Sequence, residues 1–268
     1  MSKQPEDTSR QHFTDPLDAL VDFVQEAGQI LDMSVRGIAS MTNVPGAIKV
    51  LAKVKPEEFG DEHMARAGKM ARLAEQEIAN DFPLLHAHTV VAMWSAMEES
   101  IPKFAAGWLV ENPVTLARPS FEKIKVAVSL YEQMSMESRM AYIVDAVLQD
   151  QRAGQPGVAR YEALLDAIGF GGNIHDELRR DLLELSRVGN LIVHQFSIVD
   201  ARFAAACPWL DVHPGNRFNV THRDYCRYRD AVLRYVTEIA WRVAEAKGHK
   251  REDNAVLPAT RPKEEEPR

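Results

Sequence analysis

Over most of this chain, apolar and polar positions alternate with the period of a helix. Leu17, Leu20, Val24, Ala27, Leu31, Val35 and Ile38 recur at three- and four-residue steps, which predicts an amphipathic helix starting near Asp15. The stripe stops at Asn43-Val44-Pro45-Gly46, a turn signal. A shorter apolar stretch follows from Ala47 to Val54, and an Ala-, Arg- and Glu-rich helical pattern covers roughly 61–80. After Phe82-Pro83 a long stripe runs through Leu84, Ala87, Val91, Trp94, Met97, Ile101, Phe104 and Trp108, with Pro102 expected to kink or divide it. Ser120 reads as the N-cap of a helix marked by Phe121, Ile124, Val128, Tyr131 and Met134. Ser135 and Glu137 start the next, which carries Met140, Val144, Val147 and Leu148. A loop from Ala153 to Gly157 precedes a short helix with Tyr161, Leu164, Leu165 and Ile168, which Gly169 is placed to end. After a long helix from Ile174 to Phe196 the chain becomes irregular, with a small hairpin expected at Arg217 to Val220. Thr221, with Asp224 three residues on, then reads as the capped start of a last helix carrying Tyr225, Tyr228, Val232, Tyr235, Ile239 and Val243.

These elements predict an all-α fold, a helical bundle with short connections and no internal repeat. Residues 1–13 read as a disordered leader and 14–80 as an N-terminal helical extension that packs on the body or on a partner. Residues 81–247 form the main helical domain, and the charged, proline-containing stretch 248–268 reads as a disordered tail.

Composition narrows the function classes. Hydrophobic residues make up 46% of the 268, which excludes wholesale disorder. No apolar run approaches the ~20 residues of a membrane span. The polar N-terminus has no apolar signal-peptide core, so a cytoplasmic protein is expected. Two cysteines, Cys207 and Cys226, are too few for a disulfide framework, and no Cys-x-x-Cys suggests zinc. The net charge of −7 argues against indiscriminate nucleic-acid binding, yet five arginines between Arg217 and Arg234 leave room for a local basic site.

Candidate chemistry concentrates on the helix from Ile174 to Phe196. Leu178, Leu182, Leu185, Gly189, Ile192 and Phe196 fall on one side of it; Arg180, Glu184, Arg187, Asn190 and His194 fall on the other. At about 100° per residue, Arg187, Asn190 and His194 lie within roughly 60° of one another. A cation, an amide and an imidazole aligned in this way suit a phosphate, although a solvated face with Arg187 paired to Glu184 would read the same. Other candidates are weaker. His86-x-His88 cannot present both rings to one ion from a single helix, so no metal site is expected. Glu98 and Glu99 suit one exposed and one half-buried acid better than a groove carboxylate, and Asp200 and Arg202 suit a staple for the loop. Trp94 and Trp108 suit core positions.

His194-Gln195-Phe196-Ser197-Ile198-Val199-Asp200-Ala201-Arg202-Phe203, then Cys207-Pro208-Trp209 and a Tyr-rich last helix, resembles the HEPN-like domains of bacteria. The upstream order of elements resembles them too, and the likeness spans roughly 80–247. It implies an α-helical bundle, often dimeric, which in many members is a metal-independent endoribonuclease needing no cofactor. The family motif is Arg, four to six residues, then His; Arg187 and His194 are separated by six. The commonest form is Arg-Asn-x-x-x-His, and in that frame Asn190 and His194 match while Gly189 stands at the Arg position.

The resemblance implies Arg187, Asn190 and His194 as catalytic residues; Arg180, Arg223 and Arg227 are the candidate RNA contacts, although solvated faces and salt bridges suit the arginines of the last helix better. A homodimer is expected, with an antitoxin or other protein partner on the N-terminal extension, as in toxin or phage-defence systems. The alternative is a non-catalytic HEPN-like module that dimerises or docks onto RNA or a partner.

Overall fold

The computed structural model describes residues 12–151 and 157–249. The leader up to residue 11, most of the loop at 153–157 and the tail from residue 250 lie outside the described residues. Within them the fold is all-α, as the periodicity predicts.

The longest helix is the axle. α4 (Pro83–Glu111) has 29 residues, roughly 43 Å at the usual helical rise. It starts abruptly because Asp81 and Phe82 both take left-handed backbone angles and Pro83 then fixes the first helical residue. Val90, Met93, Met97, Ile101, Phe104, Ala105 and Leu109 are sealed from solvent along it. Pro102 does not divide the helix, one of the two outcomes expected of it. Its flanking turns are held by core packing, which outweighs the single lost backbone hydrogen bond.

Around this axle lie α1 (Asp15–Ser40), α6 (Met136–Gln151), α7 (Ala159–Ile168), α8 (Asp176–Gln195) and α10 (His222–Ala246). α1 buries Leu17, Leu20, Val24 and Leu31 against α4 and α10. Gly28 belongs at this crossing, since a Cβ there would sit 2.9 Å from the Tyr225 hydroxyl. The core reaches one step further back than the periodic stripe. Phe13, assigned from sequence to the leader, is 2% exposed and packs edge-on against Trp108. Only α2 (Val44–Val54) and α3 (Asp61–Ala79) stand mostly on each other, and α2 buries no residue fully.

Two expected elements differ. The stretch from Ser120 to Met134 is not one helix: 3-10 turns at Pro113–Ala117 and Pro119–Phe121 lead through extended backbone to a six-residue α5 (Val128–Gln133). The β-branched run around Ile124, Val126 and Val128 weakens a continuous helix there. Phe121 is buried, and with Ile124, Tyr131 and Ile143 it borders an open cavity of about 610 Å³. Nor does Arg217–Val220 fold on itself; it runs beside the segment that leaves α8. Ile198 and Arg217 form an antiparallel bridge, and the Phe218 amide donates to the Ser197 carbonyl at 2.8 Å.

Three helix ends behave as the sequence predicts. Ser135 accepts from the Ser138 amide ahead of α6, and Gly169 stops α7 at φ +97°. Thr221 and Asp224 close a reciprocal capping box on α10. No helix among the described residues is long and apolar enough to cross a membrane.

Candidate functional site

α8 has Leu178, Leu182, Leu185, Val188 and Leu191 buried against the core. Gly189 lies on that side as well, facing Trp94 of α4. A side chain at position 189 would therefore point into the bundle, and Arg187 is the arginine left facing outward. Arg187, Asn190 and His194 line one groove of about 140 Å³. Its other wall comes from the chain after α8, with Asp200, Arg202 and Phe203 of the short α9 (Ala201–Ala206). Asp200 caps α9, accepting from the Phe203 amide at 2.7 Å, which makes it the loop staple the sequence suggested. The same turn brings Arg202 to the groove as a second cation, a role the sequence reading did not give it.

Glu184 is not where the helical wheel puts it. It is fully buried, and its carboxylate accepts hydrogen bonds from the Tyr228 hydroxyl and the Trp209 indole, both at 2.5 Å, and from the Arg227 guanidinium. Arg227 also donates to Asp181 at 2.7 Å. The pairing of Arg187 with Glu184 is thus absent, because Arg227 from α10 has taken the carboxylate. Arg187 keeps a buried Nε with no hydrogen-bond partner among the described residues. A half-buried guanidinium with unused donors beside an exposed imidazole is the main electrostatic feature of the groove. Next to it, burial first and Glu184 second push the Cys207 thiol up to about 12, against the pull of Arg187 and Arg227. Cys207 is therefore a packed thiol and not a nucleophile.

The remaining arginines divide. Arg180 lies two helical turns before Arg187, roughly 10 Å along the axis, and is exposed; Arg223 is exposed at the start of α10. Neither lines the groove. Arg227 is committed to Asp181 and Glu184 inside the fold, which removes it as an outward-facing RNA contact. His86 is buried while His88 is exposed, so the two rings diverge. Among the described residues no cluster of three His, Cys, Asp or Glu is arranged to hold a metal. Glu98 pairs with Arg160 and Glu99 with Lys103, away from the groove.

On α8 one apolar assignment fails outright. Phe196, expected on the buried side of α8, is 81% exposed, because it takes φ +52° at the C-cap and swings out of the helical register.

No family model matches this chain, and neither a curated protein nor a solved structure matches it.

Proposed function

We propose that the groove on α8 is the active site of a cytoplasmic HEPN-like endoribonuclease of the toxin or phage-defence type, cleaving RNA by transesterification. The observation that carries this reading is the convergence of Arg187, Asn190 and His194 on one groove, with Arg187 Nε unpartnered. The volume, about 140 Å³, is below the usual range for a whole small-molecule ligand and suits a phosphodiester with its base outside.

In this mechanism the ribose 2′-oxygen attacks the adjacent phosphorus. An O2′–P bond forms, the P–O5′ bond breaks, and the products are a 2′,3′-cyclic phosphate and a 5′-hydroxyl. His194 is the imidazole in the groove placed to take the 2′-OH proton or return one to the 5′-oxygen. Arg187 stabilises the charge building on the phosphorane with its forked donors, and Arg202 adds to the local positive potential. Asn190 orients the imidazole or a phosphate oxygen. One histidine per chain serves one proton at a time, so a homodimer pairing two grooves supplies the second.

The runner-up is a non-catalytic module. It is favoured by Gly189 at the family's Arg position and by apolar side chains open to solvent on α1–α3, among them Ile30, Met33, Val50, Val54 and Leu73. These would suit an antitoxin or other partner.

RNA cleavage by purified protein in excess chelator, with the product ends identified, separates the two. The enzyme reading expects cyclic-phosphate ends and losses of about 100-fold or more for His194→Ala and Arg187→Ala, with melting unchanged because both side chains reach solvent. A folded wild-type protein that cleaves none of a varied RNA set would favour the module.

A further inference from the structure

The end of α8 is held in an unfavourable backbone state. Phe196 takes φ +52° and Ser197 φ +65°, two consecutive L-residues in the left-handed region. The turn is pinned in place. The Phe196 and Ser197 amides both donate to the Leu191 carbonyl, Ser197 is buried, and its own carbonyl accepts from Phe218. The chain makes the same double step at Asp81 and Phe82, but there the aromatic ring is 7% exposed and its burial offsets the strain. At Phe196 the ring is 81% exposed, and the fold recovers nothing from it. The turn itself closes α8, but an exposed aromatic ring at a strained position, packed on nothing, points to a use outside the fold.

The neighbourhood says what that use is. Phe196 follows Gln195, a groove residue, and lies two positions beyond His194. The groove beside it carries the cations Arg187 and Arg202, and the Asp200 carboxylate is engaged in capping α9. An exposed aromatic face next to positive charge is the pairing that recognises a single-stranded nucleic acid: the cations take the backbone, and the ring takes a base. The small groove volume leaves the base outside, and the exposed ring nearest in the chain to a groove residue is that of Phe196. We propose that Phe196 is the base-stacking platform of this site, and that the substrate is single-stranded RNA with one base unstacked beside the cleaved phosphodiester. The proposal rests on the ribonuclease reading. Duplex RNA, whose bases stack on one another, offers no face to the ring.

The test uses one short oligoribonucleotide and a series of copies, each with a single abasic nucleotide. Phe196→Ala is expected to lower kcat/KM on the intact strand by about 5- to 100-fold, the range that stacking of one base supplies. Phe196→Tyr keeps the aromatic face and should stay near wild type. One abasic position should cost the wild-type protein the same factor and cost Phe196→Ala nothing further. If Phe196→Ala matches wild type, or its loss multiplies with every abasic position alike, stacking is overturned while the ribonuclease stands. A wild-type protein that cleaves no strand overturns both. A change of sedimentation mass in Phe196→Ala would make the ring a contact between two copies of the chain and overturn the stacking role.

Discussion

Arg227 of α10 and Glu184 of α8 meet inside the fold, a half-exposed guanidinium against a carboxylate with no solvent contact. Tyr228, Trp209 and Asp181 complete the ring of partners. Breaking such a network from one side leaves carboxylates buried without a counter-charge. Arg227→Ala should therefore destabilise the protein by about 3 kcal/mol, the low end for a buried pair because Arg227 reaches solvent. Arg227→Lys should fall between, since an ammonium cannot fork between two carboxylates. Urea unfolding measures both, and an unchanged midpoint for Arg227→Ala would show that the network adds nothing.

His86 makes stability depend on pH. Its Nδ1 faces the Asp81 carbonyl at 2.8 Å, and its Nε2 is buried without a partner among the described residues. Burial pulls its pKa below the ordinary 6.5, the Asp81 carbonyl and carboxylate oppose that, and His222 adds to it. The unfolded chain then binds the proton more readily than the native one, so this contribution is complete above about 6.5 and is lost as pH falls through the lower native value. His86→Gln should flatten the rise of unfolding free energy with pH below about 6.5. An unaltered slope would assign the dependence to other groups.

Gly189 is not needed for close packing. A Cβ at that position would meet Trp94 at 3.7–3.8 Å, an ordinary contact. Gly189→Ala should raise stability by up to about 1 kcal/mol through helix propensity alone. Gly189→Arg should lower the melting temperature without raising ribonuclease activity, since the new side chain enters the core beside Trp94. A gain of activity in Gly189→Arg would show that position 189 reaches the groove.

Relieving the left-handed turn should stabilise the fold. Phe196→Gly removes the clash of an L side chain at φ +52° and is expected to gain about 1 kcal/mol, although it discards a large aromatic ring. Phe196→Ala keeps the clash and should change stability by less than about 0.5 kcal/mol. Equal melting temperatures for the two variants would mean that the backbone is not strained there.

How much of this was legible depended on the distance over which partners act. Local signals read well: the Thr221–Asp224 box, Gly169 after Ile168, and the aligned Arg187, Asn190 and His194 all depend on neighbours within a few positions. Glu184 was misread because its partners, Trp209, Arg227 and Tyr228, come from 25 to 44 residues away, and a helical wheel cannot see them. Phe196 was misread because a helix-period pattern carries no notice that the last residue will turn left-handed. The pairing of residues 197–199 with 215–218 escaped for a third reason: three-residue contacts between loops leave no repeating pattern in either segment. Arg202 was judged by its loop and not by the wall that loop builds.

The wall opposite α8 hangs on few ties. Between Ser197 and Phe218 it has one antiparallel bridge, a handful of backbone hydrogen bonds, the Trp209 indole on Glu184 and the buried Phe203 ring of α9 against Phe218. The bundle behind it is held by whole helix faces. Amide hydrogen exchange should separate the two, with the wall opening at a lower free energy than the helices. Mutations that loosen the wall would thus erase the groove while leaving a protein that melts like the native one.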